Sequence, residues 1–203
     1  GATVVPYVDL YWTIWRTGAQ VIQNMGGVVW HAAPAADPAF HHPVPAERDI
    51  DVLFLGQKYG ERAALVQFLR DRGIRVHAAG PGWTQGFVTF EESLRLYGRA
   101  KVVLGHGATG CMSDVTALKG RDFEAPMCGA VYVTSYNPEL ADCYAIGHEI
   151  LCYGTPRDCS ELVQWILSDP ERQARIRHAA KERALRDHTW ERRFSSLFSL
   201  FPT

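Results

Sequence analysis

The run Ile50-Asp-Val-Leu-Phe-Leu-Gly56 is apolar at nearly every position and stops at a glycine. A strand wetted on one face alternates apolar and polar residues, whereas one covered on both faces does not. The run therefore predicts a central strand with helices above and below. Downstream the pattern repeats. Glu61–Arg72 carries Leu65, Phe68 and Leu69 at helical spacing, with Gly73 placed to end the helix. Ile74–Ala79 reads as the next strand and Gly80-Pro-Gly82 as a turn. Thr89-Phe-Glu-Glu92 matches a capping box for a helix through Arg99, and Lys101–Leu104 is a third strand. Gly105 to Asp114 reads as a glycine-containing loop.

The same alternation continues to the end of the chain. A helix opening at Lys119 precedes a strand at Ala130–Thr134, and Asn137 or Ser135 caps a short helix through Tyr144. Glu149–Tyr153 is the last strand. Thr155-Pro-Arg-Asp158 opens a helix with Leu162, Val163, Ile166 and Leu167 on its apolar face. Ser168-Asp-Pro-Glu171 opens another that reaches Asp187. The expected fold is α/β: a Rossmann-like, doubly wound parallel sheet in three layers over residues 46–187. Residues 1–45 differ in texture. They offer a strand at Val4–Val8, a helix around Tyr11, Trp12 and Trp15, and a strand at Val28–His31, before the Pro- and Ala-rich stretch 32–45, which reads as a crossing between domains. Residues 188–203 form a terminal amphipathic piece with Phe194, Leu197, Phe198 and Phe201.

A formal charge of −1, from 21 Lys and Arg against 22 Asp and Glu, lacks the basic excess of a nucleic-acid footprint. No apolar run reaches membrane-spanning length and no signal-peptide pattern is visible, so a cytoplasmic location is expected. Five irregularly spaced cysteines (Cys111, Cys128, Cys143, Cys152, Cys159) form no C-x-x-C pair and read as thiols in a reducing compartment.

The chemistry concentrates in Lys119-Gly-Arg-Asp-Phe-Glu124, which runs on to Cys128-Gly129. Two cations at a helix start, added to its free backbone N–H groups, attract a multiply charged anion. Glu124, on the neighbouring face, can accept hydrogen bonds from sugar hydroxyls beside a pyrophosphate. The bland alternative is a solvated charge run in which Glu124 pairs with Arg121 or Lys119. Gly56-Gln57-Lys58-Tyr-Gly60 can bring backbone close to a phosphate, with Lys58 or Arg62 as the cation; a solvated helix start is the alternative. Gly56 alone is no dinucleotide fingerprint. His106 closes a strand at the edge where open α/β sheets take ligands, though a loop-capping histidine is the commoner arrangement. Asp49-Ile-Asp51 spells a metal pattern at the opposite edge, and His41-His42 lies on the crossing without carboxylate or thiol companions. Neither is read as a metal site, and no metal or other cofactor is expected.

From about Asp49 to Phe194 the chain resembles the C-terminal, donor-binding half of a GT-B glycosyltransferase, most closely the group labelled glycosyltransferase group 1, spore-maturation type. The resemblance rests on Asp51–Gly56 with Arg62, Leu96–Leu104, Lys119–Glu124 with Cys128-Gly129, Val133-Thr134, Pro138-Glu-Leu140, Ser168–Glu171 and His188-Thr-Trp-Glu-Arg192. Ala35–Phe40 looks like the hinge that ends the N-terminal half. The resemblance implies transfer of a sugar from a nucleoside-diphosphate sugar to an unknown acceptor, retaining and without metal. It implies diphosphate contacts from Lys58, Arg62, Lys119 and Arg121, and ribose or nucleoside contacts from Glu124, Phe87 and Val88. Trp83 can stack on the base, though a loop tryptophan is more often a lid or packing residue. Many retaining members place a first glutamate where this chain has Thr116. Asp114, in the same loop, can stand in, and His106 completes the sugar vicinity. The chain would then hold one lobe and the tail of another, incomplete as a transferase. The aromatic ends, which face the missing N-terminal lobe in two-lobed relatives, are expected to pack on each other or to form a homodimer. Rival readings are a nucleotide-binding regulatory module and a Rossmann scaffold used for interaction.

Overall fold

The computed structural model describes the backbone of residues 2–109 and 112–201 and the side chains of 5–109 and 116–201. In chain order, after a 3-10 helix at Ala2–Tyr7, come β1 Tyr11–Thr13, α1 Arg16–Asn24, β2 Val29–His31, β3 Ile50–Leu55, α2 Arg62–Arg70, β4 Val76–Ala79, α3 Phe90–Arg99 and β5 Ala100–Leu104. There follow β6 Ala108–Thr109, β7 Met112–Thr116, α4 Arg121–Met127, β8 Val131–Ser135, α5 Pro138–Cys143, β9 Leu151–Tyr153, α6 Pro156–Leu167, α7 Pro170–Asp187 and α8 Trp190–Phe198.

The main sheet has five strands, all parallel, in the order β4-β3-β5-β8-β9. Its period-two side-chain alternation sorts the core into two layers. Val52, Phe54, Val102 and Leu104 pack under α2 and α6. Leu53, Val103 and Tyr132 pack on the other face against Tyr97 of α3, Phe123 of α4 and Leu140 of α5. All seven of these strand residues are at most 1% exposed, which is why the Ile50–Gly56 run carries no polar alternation. The strand order reverses between β3 and β5. Their C-terminal ends diverge there and leave a crevice between the loops after Leu55 and Leu104.

Helix starts follow their caps. Thr89 accepts from Glu92 N, Asn137 from Glu139 N, Asp169 from Arg172 N and Thr189 from Arg192 N. Thr155 and Asp158 satisfy each other in a full capping box.

Four expectations are corrected. Val4–Val8 is no strand: Pro6 brings no N–H and the segment winds into the 3-10 helix. Tyr11 and Trp12 lie on β1, which pairs in parallel with β2, and the helix begins only at Arg16. The Gly105–Asp114 loop contains β6, which pairs antiparallel with β7. The helix expected from Lys119 starts at Arg121, with Lys119 just outside it.

The first part of the crossing 32–45 is packed: Ala35 and Ala36 are buried, and Ala36 bridges to Thr189 in the second crossing, while residues 38–40, 42, 43 and 45 are exposed. On this crossing His41 packs edge-on against Phe90 at 5.4 Å. The aromatic ends do meet. Trp12 lies 5.8 Å from Trp30 and 5.6 Å from Trp190, and Phe194 stacks on Trp190, while Phe198 stays exposed. Cys128, Cys143 and Cys159 are buried free thiols and Cys152 is half-buried; Cys111 lies outside the described residues. No described helix is long and apolar enough to cross a membrane.

Candidate functional site

Three cations converge on the crevice. Arg62 opens α2, which returns from β3, and is only 4% exposed. Its guanidinium lies 3.9 Å over the Tyr59 ring and donates to the Gln57 carbonyl at 3.1 Å and the His106 carbonyl at 3.4 Å. Its Nε has no partner among the described residues. Arg121, at the start of α4, reaches across to β3, where its guanidinium stands 5.6 Å from the Phe54 ring. Arg62 is 5.9 Å from the same ring, so two like charges share one phenyl. Arg121 Nη1 is buried and unpartnered among the described residues. Lys119 Nζ donates to Thr109 Oγ1 at 2.9 Å.

Gly56 makes the Arg121 placement possible. Its φ is +150°, and a Cβ there would stand 2.9 Å from Arg121 Nη2. The backbone gap at the end of β3 is thus filled by a guanidinium.

Among the described residues none of the three cations forms a salt bridge. The titration behaviour reflects that crowding. Burial first, then the field of Arg121, lowers the pKa of Arg62, although Tyr59 partly opposes this. Burial and Arg62 lower Lys119, and burial followed by Arg62 lowers His106. Arg121 behaves otherwise: burial opposes its charge, but Tyr132, Tyr97, Asp122 and Glu124 together outweigh burial and raise its pKa. Arg62 and Lys119 are left with a desolvation cost that a polyanion would relieve.

Asp122 and Tyr132 escaped the sequence reading. Asp122 is buried, accepts from Lys119 N at 2.7 Å and from Tyr132 Oη at 2.6 Å, and so pins the turn that presents both Lys119 and Arg121. The available signal was its place three residues after Lys119, the spacing at which a carboxylate in the first turn of a helix reaches back to a backbone N–H. Tyr59, the platform under Arg62, had no sequence signal beyond its place in the loop.

The remaining candidates lie at different distances from this cluster. The Glu124 carboxylate folds back over the first turn of α4, so near Gly120 that a Cβ there would stand 2.7 Å from Oε1. Phe87 is 80% exposed, and with Val88, Gly56 and Gly80 it lines a shallow pocket of about 180 Å³. Lys58 stands apart from the cations, 5.3 Å over the Trp83 ring. Trp83 itself packs edge-on against Phe54 at 5.7 Å and donates to the Gly56 carbonyl, so its ring braces the loop. Gln57 contributes its carbonyl to Arg62. His106 and Thr116 line a cavity with Glu61, Phe68, Tyr136 and Tyr153. The Asp114 side chain lies outside the described residues. At the opposite edge Asp49 is held by Arg99, and Asp51 by Arg75 and Lys101. No cluster of His, Cys, Asp and Glu able to hold a metal occurs among the described residues.

By sequence, no curated protein matches the chain. Solved structures do match in fold. TarM of S. aureus, solved with fondaparinux, alpha-GlcNAc-glycerol and UDP, superposes with a TM-score of 0.74 at 12% identity, covering 100% of this chain and 45% of that one. Sucrose-phosphate synthase of Thermosynechococcus elongatus gives 0.71 at 12% identity, covering 98% and 61%. HepE of Anabaena, in complex with UDP and glucose, gives 0.72 at 11% identity, covering 98% and 65%. The chain therefore spans between about half and two thirds of the length of these three relatives. The Glycosyl transferase-like family matches residues 61–199, which include every helix from α2 to α8. The chain belongs to the Glycosyl transferase-like family and carries a Rossmann-like half of the GT-B fold.

Proposed function

We propose that the chain binds a nucleoside-diphosphate sugar and forms the donor half of a transferase that passes the sugar to an acceptor, without a metal ion and with retention of configuration. In this assignment residues 46–187 are the donor domain, 1–45 the tail of the acceptor half and 188–203 the crossing back to it. The observation that carries the reading is the pair of guanidinium groups of Arg62 and Arg121, beside Phe54 at the crevice and without a salt bridge among the described residues. A diphosphate there would meet Arg62, Arg121 and Lys119. Fixed charges of this kind stabilise the leaving nucleoside diphosphate more than the bound donor, because negative charge grows on it as the glycosidic bond breaks. Glu124 would accept from the ribose hydroxyls, and the Phe87–Val88 pocket would frame the base. The UDP and glucose in the HepE complex support the same class of ligand. Retention is what the family resemblance implies.

Calorimetric titration with UDP, GDP, ADP and dTDP in metal-free buffer tests the reading. Saturable binding of one of them, lost in Arg121→Ala and weakened in Glu124→Ala, is the expected result. A folded protein that binds none of the four refutes it.

A further inference from the structure

A second pair of cations lies at the opposite edge of the sheet, where the strands begin. The end of the crossing runs along that edge, with the Val44 carbonyl and Pro43 so near Gly98 and Gly129 that a Cβ on either glycine would touch them. Just beyond it, Arg48 turns into the sheet. Its Nη1 donates to the Ala100 carbonyl and its Nη2 to the Gly129 carbonyl at 3.3 Å. The guanidinium is thereby fixed between the starts of β5 and β8.

Arg177 projects from α7, which packs on α4 and β8. Its Nη1 donates to Gln173 Oε1 at 3.4 Å, and the buried Gln173 is itself tied to the Ile166 carbonyl at 3.0 Å. Both arginines are half-buried, and neither forms a salt bridge among the described residues. Their partners are carbonyl and amide oxygens, which take hydrogen bonds without neutralising charge. Burial, and after it the field of Arg177, brings the Arg48 pKa down to about 10. Burial lowers Arg177, and among the described residues no carboxylate opposes it. At neutral pH two fixed cations therefore stand within reach of each other with their desolvation unrecovered.

The helix dipole does not account for this pair, because Arg177 lies in the middle of α7 and not in its last turn. Nor does the pair belong to the crevice: Ala100 and Leu104 are the two ends of β5, about 13 Å apart. What would relieve it is set by charge and by geometry. A carboxylate brings one negative charge to two guanidiniums. A phosphate group brings up to two and several oxygens, which suits planar donors arriving from two directions.

We propose that Arg48 and Arg177 together hold a phosphate group, free or as a monoester, at a site separate from the crevice. Once bound, it links Arg48, beside the first crossing, to α7, the helix that leads into the second.

The test follows thermal unfolding of the whole chain in inorganic phosphate, and separately in glycerol 3-phosphate, against potassium chloride at matched ionic strength. Phosphate should raise the Tm saturably, and should still do so in Arg62→Met, which alters the crevice. In Arg177→Met the apparent phosphate affinity should fall about tenfold or more, while the Tm without phosphate equals that of wild type or exceeds it. Arg177 is the position to vary, since Arg48 also holds two backbone carbonyls. An equal response to the ester supports a site for phosphomonoesters, and a response to inorganic phosphate alone supports one for the free ion. No saturable response, a response undiminished in Arg177→Met, or an equal response to acetate overturns the proposal. So does loss of the response in Arg62→Met.

Discussion

His188 should make the protein acid-labile through one buried ring. Its Nε2 bonds the Cys143 carbonyl at 2.8 Å, while Nδ1 takes a hydrogen bond from Arg193 Nη2 at 2.9 Å. Nε2 therefore carries the only ring proton and Nδ1 must stay bare. A second proton would set two donors against each other beside a guanidinium. Burial lowers the pKa from the ordinary 6.5 to about 4; the Cys143 carbonyl opposes this, and Arg193 adds to it. Because the folded value is the lower one, the contribution to stability is complete above 6.5 and is lost as the pH falls toward 4. At about 1.4 kcal/mol per pH unit, the loss from this group between neutral pH and pH 4 is about 3 kcal/mol. Urea unfolding of wild type and His188→Gln across that range isolates it, since other titrating groups are common to both. The stability difference should shrink by about 3 kcal/mol or change sign as the pH falls. A difference that stays constant across that range would refute the assignment of a neutral, Nε2-protonated His188.

Replacing Arg62 by Met should weaken nucleoside diphosphate binding by roughly tenfold to a hundredfold, yet leave the free protein as stable or more so, because a buried unpaired cation is removed; parallel calorimetry and urea melts check both halves. Diphosphate affinity should fall steadily with added salt, and the slope should flatten in Lys119→Ala, as read by titration in a salt series. Gly105→Ala places a Cβ against Tyr132 Oη and Thr134 Oγ1, both anchored in the core, and should cost about 1–3 kcal/mol in a denaturant melt. Glu124→Ala should weaken nucleotide binding with little change in melting temperature, since its carboxylate makes no side-chain hydrogen bond among the described residues.

The five-stranded sheet was legible because a strand covered on both faces has no polar alternation to hide it, as in Val52–Leu55 and Val102–Leu104. The N-terminal unit was not. Tyr11, Trp12 and Trp15 sit at a spacing that suits a helix, yet β1 is fixed by pairing with Val29–His31, a contact no local pattern reports. Val4–Val8 has the β-branched content of a strand but becomes a 3-10 turn around Pro6. In the site, Arg121 and Lys119 announced themselves by charge at a helix start. The Tyr59 platform and the Phe54 ring shared by two guanidiniums did not, because each depends on separate segments meeting at the sheet edge.

The chain passes between its N-terminal unit and the main sheet twice, and the two passages touch: Ala36 N bonds the His188 carbonyl, and Trp190 N bonds the Ala36 carbonyl. Two strands of a joint fastened at one rung behave like the knuckles of a door hinge. Rotation of the unit about the line through Ala36 and Thr189 bends both strands gently. Any sliding or twist off that line must stretch one strand against the other. Such a rotation would also have to part Arg16 from Asp142 and His31 from Glu139, the contacts that hold the small βαβ unit against α5.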